Sequence, residues 1–243
     1  MTYDDFQAVI LLGGLGTRLQ EMHPDLPKAL VPIEGRPFLD WQLAWLSQRG
    51  VSSVVLAAGY RADQIESHVS SAWAGQMKIA VSRESSPLGT GGAIRHCRPH
   101  LGPGTILVVN GDTLLPELDL SRFLRKHRQC EASASIAAVP MKDSERYGTI
   151  ETDSRGTVLC FHEKACVEEG LVNGGHYLLE EDILGRLPDG RAISLEREFF
   201  PKLIQGRKIC AIEFAPPLLD MGTPDGVLAM EKFLRRSRCA GWF

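Results

Sequence analysis

The chain has 243 residues, 44% of them apolar and 23% charged, with a net charge of −3. That suffices for a substantial core in one large domain or two small ones, and it excludes a bulk attraction to nucleic acid or to an anionic membrane. No stretch approaches the roughly 18 apolar residues that span a bilayer, and the N-terminal "MTYDDFQAVILLGG" is acidic where a secretion signal is basic, so a cytosolic protein is expected.

In chain order, "AVILL" reads as a buried strand. "FLDWQLAWLSQRG" sets Phe38, Leu39, Trp41, Leu43, Trp45 and Leu46 roughly on a helical stripe that Gly50 ends. "VSSVVLAAG" is a strand, "RADQIESHVSSAW" a helix and "MKIAVS" a strand. "GTGGAIRHCRPHL" predicts a helix that starts after its glycines, and "TILVVNGD" a strand ending in a turn. "DLSRFLRKHRQC" is a helix capped by Asp119 or Ser121, and "ASASIAAVP" a further strand. Beyond it, "YGTIETDSRGTVLCFHEK" reads as a hairpin turning at "DSRG", "LVNGGHYLL" as a strand, "LEREFFPKLIQ" as helical, "KICAIEF" as extended, and "LLDMGTPDGVLAMEKFLRRSR" as a turn and a final helix.

Strands alternating with helices predict an α/β fold, a mainly parallel sheet with helices on both faces. In such sheets ligands bind beyond the carboxyl ends of the strands. The ends "LLGG" and "VVNGD" and the loop "ESSPLGTGG" should therefore converge. No linker, repeat or low-complexity segment divides the chain, so residues 1–243 are expected to form one domain. The six cysteines (97, 130, 160, 166, 210 and 239) show no CxxC or zinc-ligand spacing, and reduced, mostly buried thiols are expected.

The strand end at Gly13 and Gly14 lets a ligand approach the backbone, whose N–H groups can form an anion nest. Arg18 adds a planar cation suited to phosphate and Lys28 a compact one. The spacing is neither GxGxxG nor the P-loop pattern, so neither hydride transfer nor a P-loop ATPase is favoured.

"GGLGTRL" followed by "PKALVPIEGRPFLDW" resembles the signature of the sugar-1-phosphate nucleotidylyltransferases. The resemblance runs in order through "ESSPLGTGGAI", "VVNGD", "EK", "NGGHY", "SLEREFFPKL" and "DMGTPD", from residue 8 to about 226. Among subfamilies the chain looks most like the heptose-1-phosphate guanylyltransferases. It also resembles the short mannose-1-phosphate guanylyltransferases and the N-acetylmuramate-1-phosphate uridylyltransferases, and the left-handed β-helix of longer members is not expected here. The resemblance implies a Rossmann-like mixed, mainly parallel sheet of the nucleotide-diphospho-sugar transferase type. Residues 1–140 would form its nucleotide-binding part and 141–243 its sugar-binding part.

The implied reaction joins a nucleoside triphosphate to a sugar 1-phosphate and releases pyrophosphate. The attacking phosphate oxygen is already anionic, so the chemistry needs positioning and charge neutralisation rather than a base. By resemblance Arg18 holds the β- and γ-phosphates, Lys28 bridges the phosphates, and Leu12, Gly13, Gly14, Gly16 and Thr17 line the nucleotide. Asp112 and Asp220 match the family's metal-binding aspartates and suit Mg²⁺, and Gly111 precedes the first of them. Glu84, Gly89 and Thr90 match the base-reading loop. A carboxylate only accepts hydrogen bonds, and guanine offers two adjacent donors where uracil offers one donor flanked by acceptors. Glu84 therefore favours GTP. Glu163, Lys164, Asn173, Gly174, Gly175 and Glu196 match sugar-phosphate contacts, with Thr149 or Tyr147 nearby. His162 and His176 flank the sugar motifs, and a lone histidine is more often structural.

The implied partners are GTP and a sugar 1-phosphate, with D-glycero-α-D-manno-heptose 1-phosphate first by the wording of "PLGTGGAI" and "NGGHY"; a homodimer rests on the resemblance alone. Mannose 1-phosphate guanylylation, uridylyl or thymidylyl transfer to another hexose, and a nucleotide-sugar-binding regulatory subunit are the alternatives. The presence of Arg18, Lys28 and Asp112 weighs against the last.

Overall fold

The computed structural model describes residues 6–14, 23–142, 148–162, 169–206 and 208–239. The first half comprises β1 (Gln7–Leu11), the short hairpin β2 (Pro32–Ile33) and β3 (Arg36–Pro37), α1 (Phe38–Gln48), β4 (Ser53–Ala58), α2 (Ala62–Ala72), β5 (Lys78–Arg83), α3 (Gly89–His96), β6 (Ile106–Asn110), β7 (Thr113–Leu114), α4 (Leu120–Gln129) and β8 (Ala134–Lys142). The second half adds β9 (Thr149–Thr152), β10 (Val158–His162), β11 (Glu169–Leu179), α5 (Glu181–Arg186), a wide helical turn (Leu195–Phe199) running into α6 (Phe200–Gln205), β12 (Ile209–Glu213), β13 (Leu219–Asp220) and α7 (Pro224–Cys239).

Among the described residues, nine strands form one mixed sheet in the order β10-β9-β11-β6-β1-β4-β5, with β8 paired to β11 and β12 to β8. The block β6-β1-β4-β5 is parallel. Within this sheet, the antiparallel strand pairings among the described residues all involve β9 or β11. β11 changes partner along its length: Leu171 and Val172 pair with β9, and His176 to Leu179 pair with β6. Its register against β8 breaks between Asn173 and Tyr177, a bulge that places the Asn173–Gly175 segment beside the end of β6.

Side chains alternate across the sheet. Ala8, Ile10, Leu56 and Val109 face a core closed by α1, α2, α4 and α7, while Val9, Val55, Ala57 and Val108 face one closed by α3, α5 and α6. Both faces are therefore covered, as a parallel sheet requires. Asp119 caps α4 by accepting from the Arg122 N–H at 2.9 Å, which resolves the choice with Ser121. Gly50, at φ +78°, ends α1. Asp153 accepts from the Arg155 and Thr157 N–H groups, each at 2.9 Å, in the "DSRG" turn.

Three expectations are corrected. α3 begins on Gly89 rather than after its glycines. The reason is contact: the Gly91 N–H donates to the Ile193 carbonyl at 2.9 Å, and a Cβ at Gly92 would stand 3.0 Å from the Arg191 carbonyl oxygen. α1 is buried well beyond one stripe, with Asp40 and Gln42 inside as well; Asp40 accepts from Trp73 Nε1 at 2.7 Å and lies 2.8 Å from His68 Nε2. The start of "LLDMGTPD" is a strand, because Leu219 and Asp220 pair with Leu114 and Thr113. Cys97 and Cys210 are buried, while Cys130 and Cys160 are partly exposed. Among the described residues no helix is long and apolar enough to cross a membrane.

Burial pushes the His176 imidazole down to a pKa of about 4, and burial also lowers that of His127. An unfolded histidine titrates near ~6.5. Between those values the unfolded chain takes up a proton that folded His176 refuses, so stability is full above pH ~6.5 and declines as the pH falls, by roughly 3 kcal/mol for this residue. Urea unfolding at pH 7 and pH ~4.5 checks this. The native protein should lose more stability between the two than His176→Gln does, and equal losses would contradict the assignment.

Candidate active site

The carboxyl ends of the parallel strands meet as their sequences require. Leu12 N–H donates to the Ala57 carbonyl at 2.8 Å, Glu84 N–H to Ala58 at 2.8 Å, and Gly111 N–H to Leu11 at 3.0 Å. Above them lies a cavity of about 450 Å³. Its walls include Leu12, Gly13 and Gly14 after β1, Glu84, Gly89 and Thr90 from the loop after β5, and Gly111 and Asp112 after β6. Glycine is needed where β1 and β6 close up, because a Cβ at 111 would collide with the Leu11 carbonyl oxygen and the Leu12 side chain. It is needed again at 89, where φ is +69° and a Cβ would stand 2.6 Å from the Ile193 oxygen.

Lys28 enters on a tight helical turn, Lys28–Leu30. Its Nζ lies 2.6 Å from Asp112 Oδ2. Asp112 Oδ1 accepts from the Thr113 hydroxyl at 3.0 Å. The two-stranded ladder of β7 and β13 puts Asp220 opposite Thr113, and Met221 N–H donates to the Asp112 carbonyl at 2.9 Å. Two aspartates 108 positions apart in sequence (220 minus 112) thus sit on adjoining backbone. Among the described residues no three His, Cys, Asp or Glu side chains form a metal cluster by themselves.

Glu84 forms the opposite wall. Its Oε2 accepts from the Leu88 N–H at 3.1 Å, while its Oε1 is buried with no hydrogen-bond partner. That oxygen lies 2.9 Å from where a Cβ on Gly13 would stand, so it faces the glycine loop. Burial raises the Glu84 pKa, opposed by the Leu88 bond and by His96. A ligand donating to Oε1 would relieve the burial cost and favour the ionised form.

The loop after β5 and the second half share one hydrogen-bond network. Thr90 Oγ1 donates to Glu196 Oε2 at 3.0 Å and accepts from the Leu195 N–H at 2.8 Å. Ser194 also donates to Glu196 Oε2, at 2.9 Å. The buried Tyr177 hydroxyl donates to Glu196 Oε1 at 2.9 Å and accepts from Asn173 Nδ2 at 3.0 Å. Asn173 Oδ1 in turn accepts from the Gly175 N–H at 2.9 Å. Burial, with the nearby Glu196 charge, drives the Tyr177 pKa well up, so the phenol stays protonated as the donor. His176 Nδ1 donates to the Gly174 carbonyl at 2.8 Å and its ring meets Trp45 edge-on at 5.3 Å. His162 pairs with Glu151 at the surface.

Residues 7–237 match the nucleotidyl transferase family. The chain belongs to that family. It is 35% identical over 230 residues to D-glycero-alpha-D-manno-heptose 1-phosphate guanylyltransferase of Aneurinibacillus thermoaerophilus, covering 94% of this chain and 98% of the relative. It is 36% identical over 219 residues to the protein of the same name from Campylobacter jejuni, covering 90% and 96%. The crystal structure of HddC from Yersinia pseudotuberculosis complexed with GMP-PN superposes with a TM-score of 0.81 at 33% identity, covering 94% of this chain and 99% of that one.

The transferase fold therefore brings Leu12, Gly13, Gly14, Lys28, Glu84, Gly89, Thr90, Gly111 and Asp112 to one cavity. It places Asp220 on adjoining backbone and ties Glu196 and Asn173 to the cavity wall through Thr90 and Tyr177. Gly16, Thr17, Arg18, Tyr147, Glu163 and Lys164 lie outside the described residues. The Thr90 hydroxyl proton is committed to Glu196, and both polar ends of the Asn173 amide are used within the protein. Their first task is therefore to hold the loops. Sequence reasoning missed Tyr177, although it ends the quoted "NGGHY", and Gln42, hidden in an apolar helix. Replacing Gly111 by alanine should force β1 and β6 apart and cost about 1–3 kcal/mol of unfolding free energy. Urea denaturation of Gly111→Ala measures this, and an unchanged midpoint would contradict the close approach.

Proposed function

We propose that this nucleotidyl transferase moves the GMP group of GTP onto D-glycero-α-D-manno-heptose 1-phosphate, releasing pyrophosphate and forming GDP-heptose. The observation that carries the reading is the cavity where three glycine-marked strand ends meet around the Lys28–Asp112 pair. The names of the two heptose relatives direct the choice of sugar. Residues 1–140 would bind the nucleotide and 141–243 the sugar phosphate.

In this reading Gly13 and Gly14 let the triphosphate lie on the backbone, and Arg18 takes the charge of the departing pyrophosphate. Lys28 swings from Asp112 to the phosphates as the sugar phosphate oxygen attacks the α-phosphorus, and the bond to pyrophosphate breaks. Lys164 and Glu163 hold the incoming phosphate and a sugar hydroxyl, with Asn173, Gly174, Gly175 and Glu196 shaping that side. The nucleophile arrives ionised, so no base is needed. His176 could not serve as one, since its Nδ1 is given to Gly174 and its ring is wholly buried.

Asp112 and Asp220 would hold a Mg²⁺ ion. The donor set fits: two carboxylates on adjoining backbone leave the remaining positions for waters and phosphate oxygens, as Mg²⁺ prefers. When bound, the ion supplies charge neutralisation and a template for the two phosphates. The reaction would run in the cytoplasm, and the product would serve surface polysaccharide or glycoprotein synthesis. A homodimer fits the family resemblance.

Guanine selection is assigned to the Glu84 carboxylate, which would accept bidentately from the N1–H and 2-amino groups, with the unpartnered Oε1 taking one of them. Glu84→Gln replaces one acceptor oxygen by a donor and removes a charge-assisted bond worth about 1.5–3 kcal/mol. The ratio of kcat/KM for GTP over UTP should fall roughly 10- to 100-fold. An unchanged ratio would overturn the base assignment.

A further inference from the structure

The amide of Gln42 spans the turn that bears Asp112. Gln42 lies on α1 and is 1% exposed. Its Nε2 donates to the Asn110 carbonyl at 2.8 Å and to the Thr113 carbonyl at 3.0 Å. Those two carbonyls flank the Gly111–Asp112 dipeptide on either side. Both amide hydrogens are thus spent bracing the four-residue turn. The orientation is unambiguous, because a flipped amide would set its oxygen against two other acceptors. The opposite end of the same amide, Oε1, is buried with no hydrogen-bond partner. Leaving such an acceptor unmet costs about 1–3 kcal/mol, so the side chain is held in place for its NH₂ end.

The rest of the same helix face continues the work. Arg49 lies seven residues on, two helical turns along the same side. It donates from Nε to the Leu118 carbonyl at 3.1 Å and from a terminal nitrogen to the Pro116 carbonyl at 2.7 Å. Between them, Gln42 and Arg49 hold the carbonyls of residues 110, 113, 116 and 118. The turn is also fixed from its other sides by the Gly111 to Leu11 and Met221 to Asp112 backbone bonds. Neither of these two bonds involves a side chain, whereas Gln42 supplies side-chain donors to the carbonyls on both sides of Gly111–Asp112.

We propose that Gln42 is a positioning residue for the metal carboxylate: by bridging the carbonyls of Asn110 and Thr113 it fixes the direction of the Asp112 side chain and so sets the affinity for the divalent cation. This rests on the assignment of Asp112 as a metal ligand. Gln42 touches neither substrate in this account. Its effect is transmitted through two peptide units, as partners behind metal ligands act elsewhere, where their loss costs about 10- to 100-fold in metal affinity or activity.

The test is Mn²⁺ titration of the full chain with a non-hydrolysable GTP analogue bound, reading free Mn²⁺ by electron paramagnetic resonance. Gln42→Met keeps the length and removes both donors. Gln42→Asn keeps the amide but falls short of one carbonyl, and it serves if the methionine variant does not fold. Asp112→Asn is the control for the ligand itself. The expected result is Mn²⁺ binding about 10- to 100-fold weaker in the Gln42 variants, with kcat recovering as Mn²⁺ is raised and KM for GTP at saturating Mn²⁺ unchanged. A lowered melting temperature with native Mn²⁺ affinity, while Asp112→Asn loses binding, would make Gln42 merely structural and overturn the proposal. Native Mn²⁺ affinity in Asp112→Asn would instead overturn the metal assignment, and the proposal with it.

Discussion

The turn from Asn110 to Thr113 is the point to which the rest of the cavity is referred. Its backbone lies against the end of β1, and only a glycine at 111 permits that approach. The Gln42 amide braces it from below and β13 pairs with its exit. Lys28 closes on Asp112 at 2.6 Å from the glycine-loop side. A cation and a carboxylate at that separation neutralise each other until a charged ligand competes, and phosphates compete well for lysine. In the proposed reaction the same contact would open as the triphosphate binds.

The second constraint is the network Thr90–Glu196–Tyr177–Asn173. It crosses from the loop after β5 to the bulge of β11, which lies where β11 leaves β9 for β6. Hydrogen bonds to a charged acceptor in a shielded place are among the stronger ones, about 1.5–3 kcal/mol each. Three converge on Glu196. Hydrogen bonds consequently join the loop after β5 to the Asn173–Gly175 segment through Glu196 and Tyr177. The Ile193 backbone, bonded to Leu88 and Gly91, reinforces the joint.

Much of this was legible in the sequence for a physical reason. The long strands and helices follow the apolar period, and the parallel order of strands fixes where their ends meet. That is why Gly13, Glu84, Thr90, Gly111 and Asp112 were brought together by reading alone. The short pieces were not legible. β7 and β13 are two residues each, and they exist because residues 113–114 and 219–220 find each other across the fold. α5 is likewise set by packing, through Ile183 and Leu184, rather than by a local pattern, whereas the helical stretch from Leu195 to Gln205 is legible in "LEREFFPKLIQ". Gln42 left no signal, since its partners are backbone carbonyls nearly seventy positions or more away. Tyr177 left a weak one, a phenol followed by two leucines at the buried end of β11.

The central claim is guanylyl transfer to a manno-configured heptose 1-phosphate. Its most direct test is pyrophosphate release by the purified protein with Mg²⁺, crossing GTP, UTP, dTTP, CTP and ATP with heptose, mannose, glucose and N-acetylmuramate 1-phosphates. The account predicts turnover confined to GTP with D-glycero-α-D-manno-heptose 1-phosphate. Turnover with UTP or dTTP in preference to GTP, or none with any pair, would contradict it.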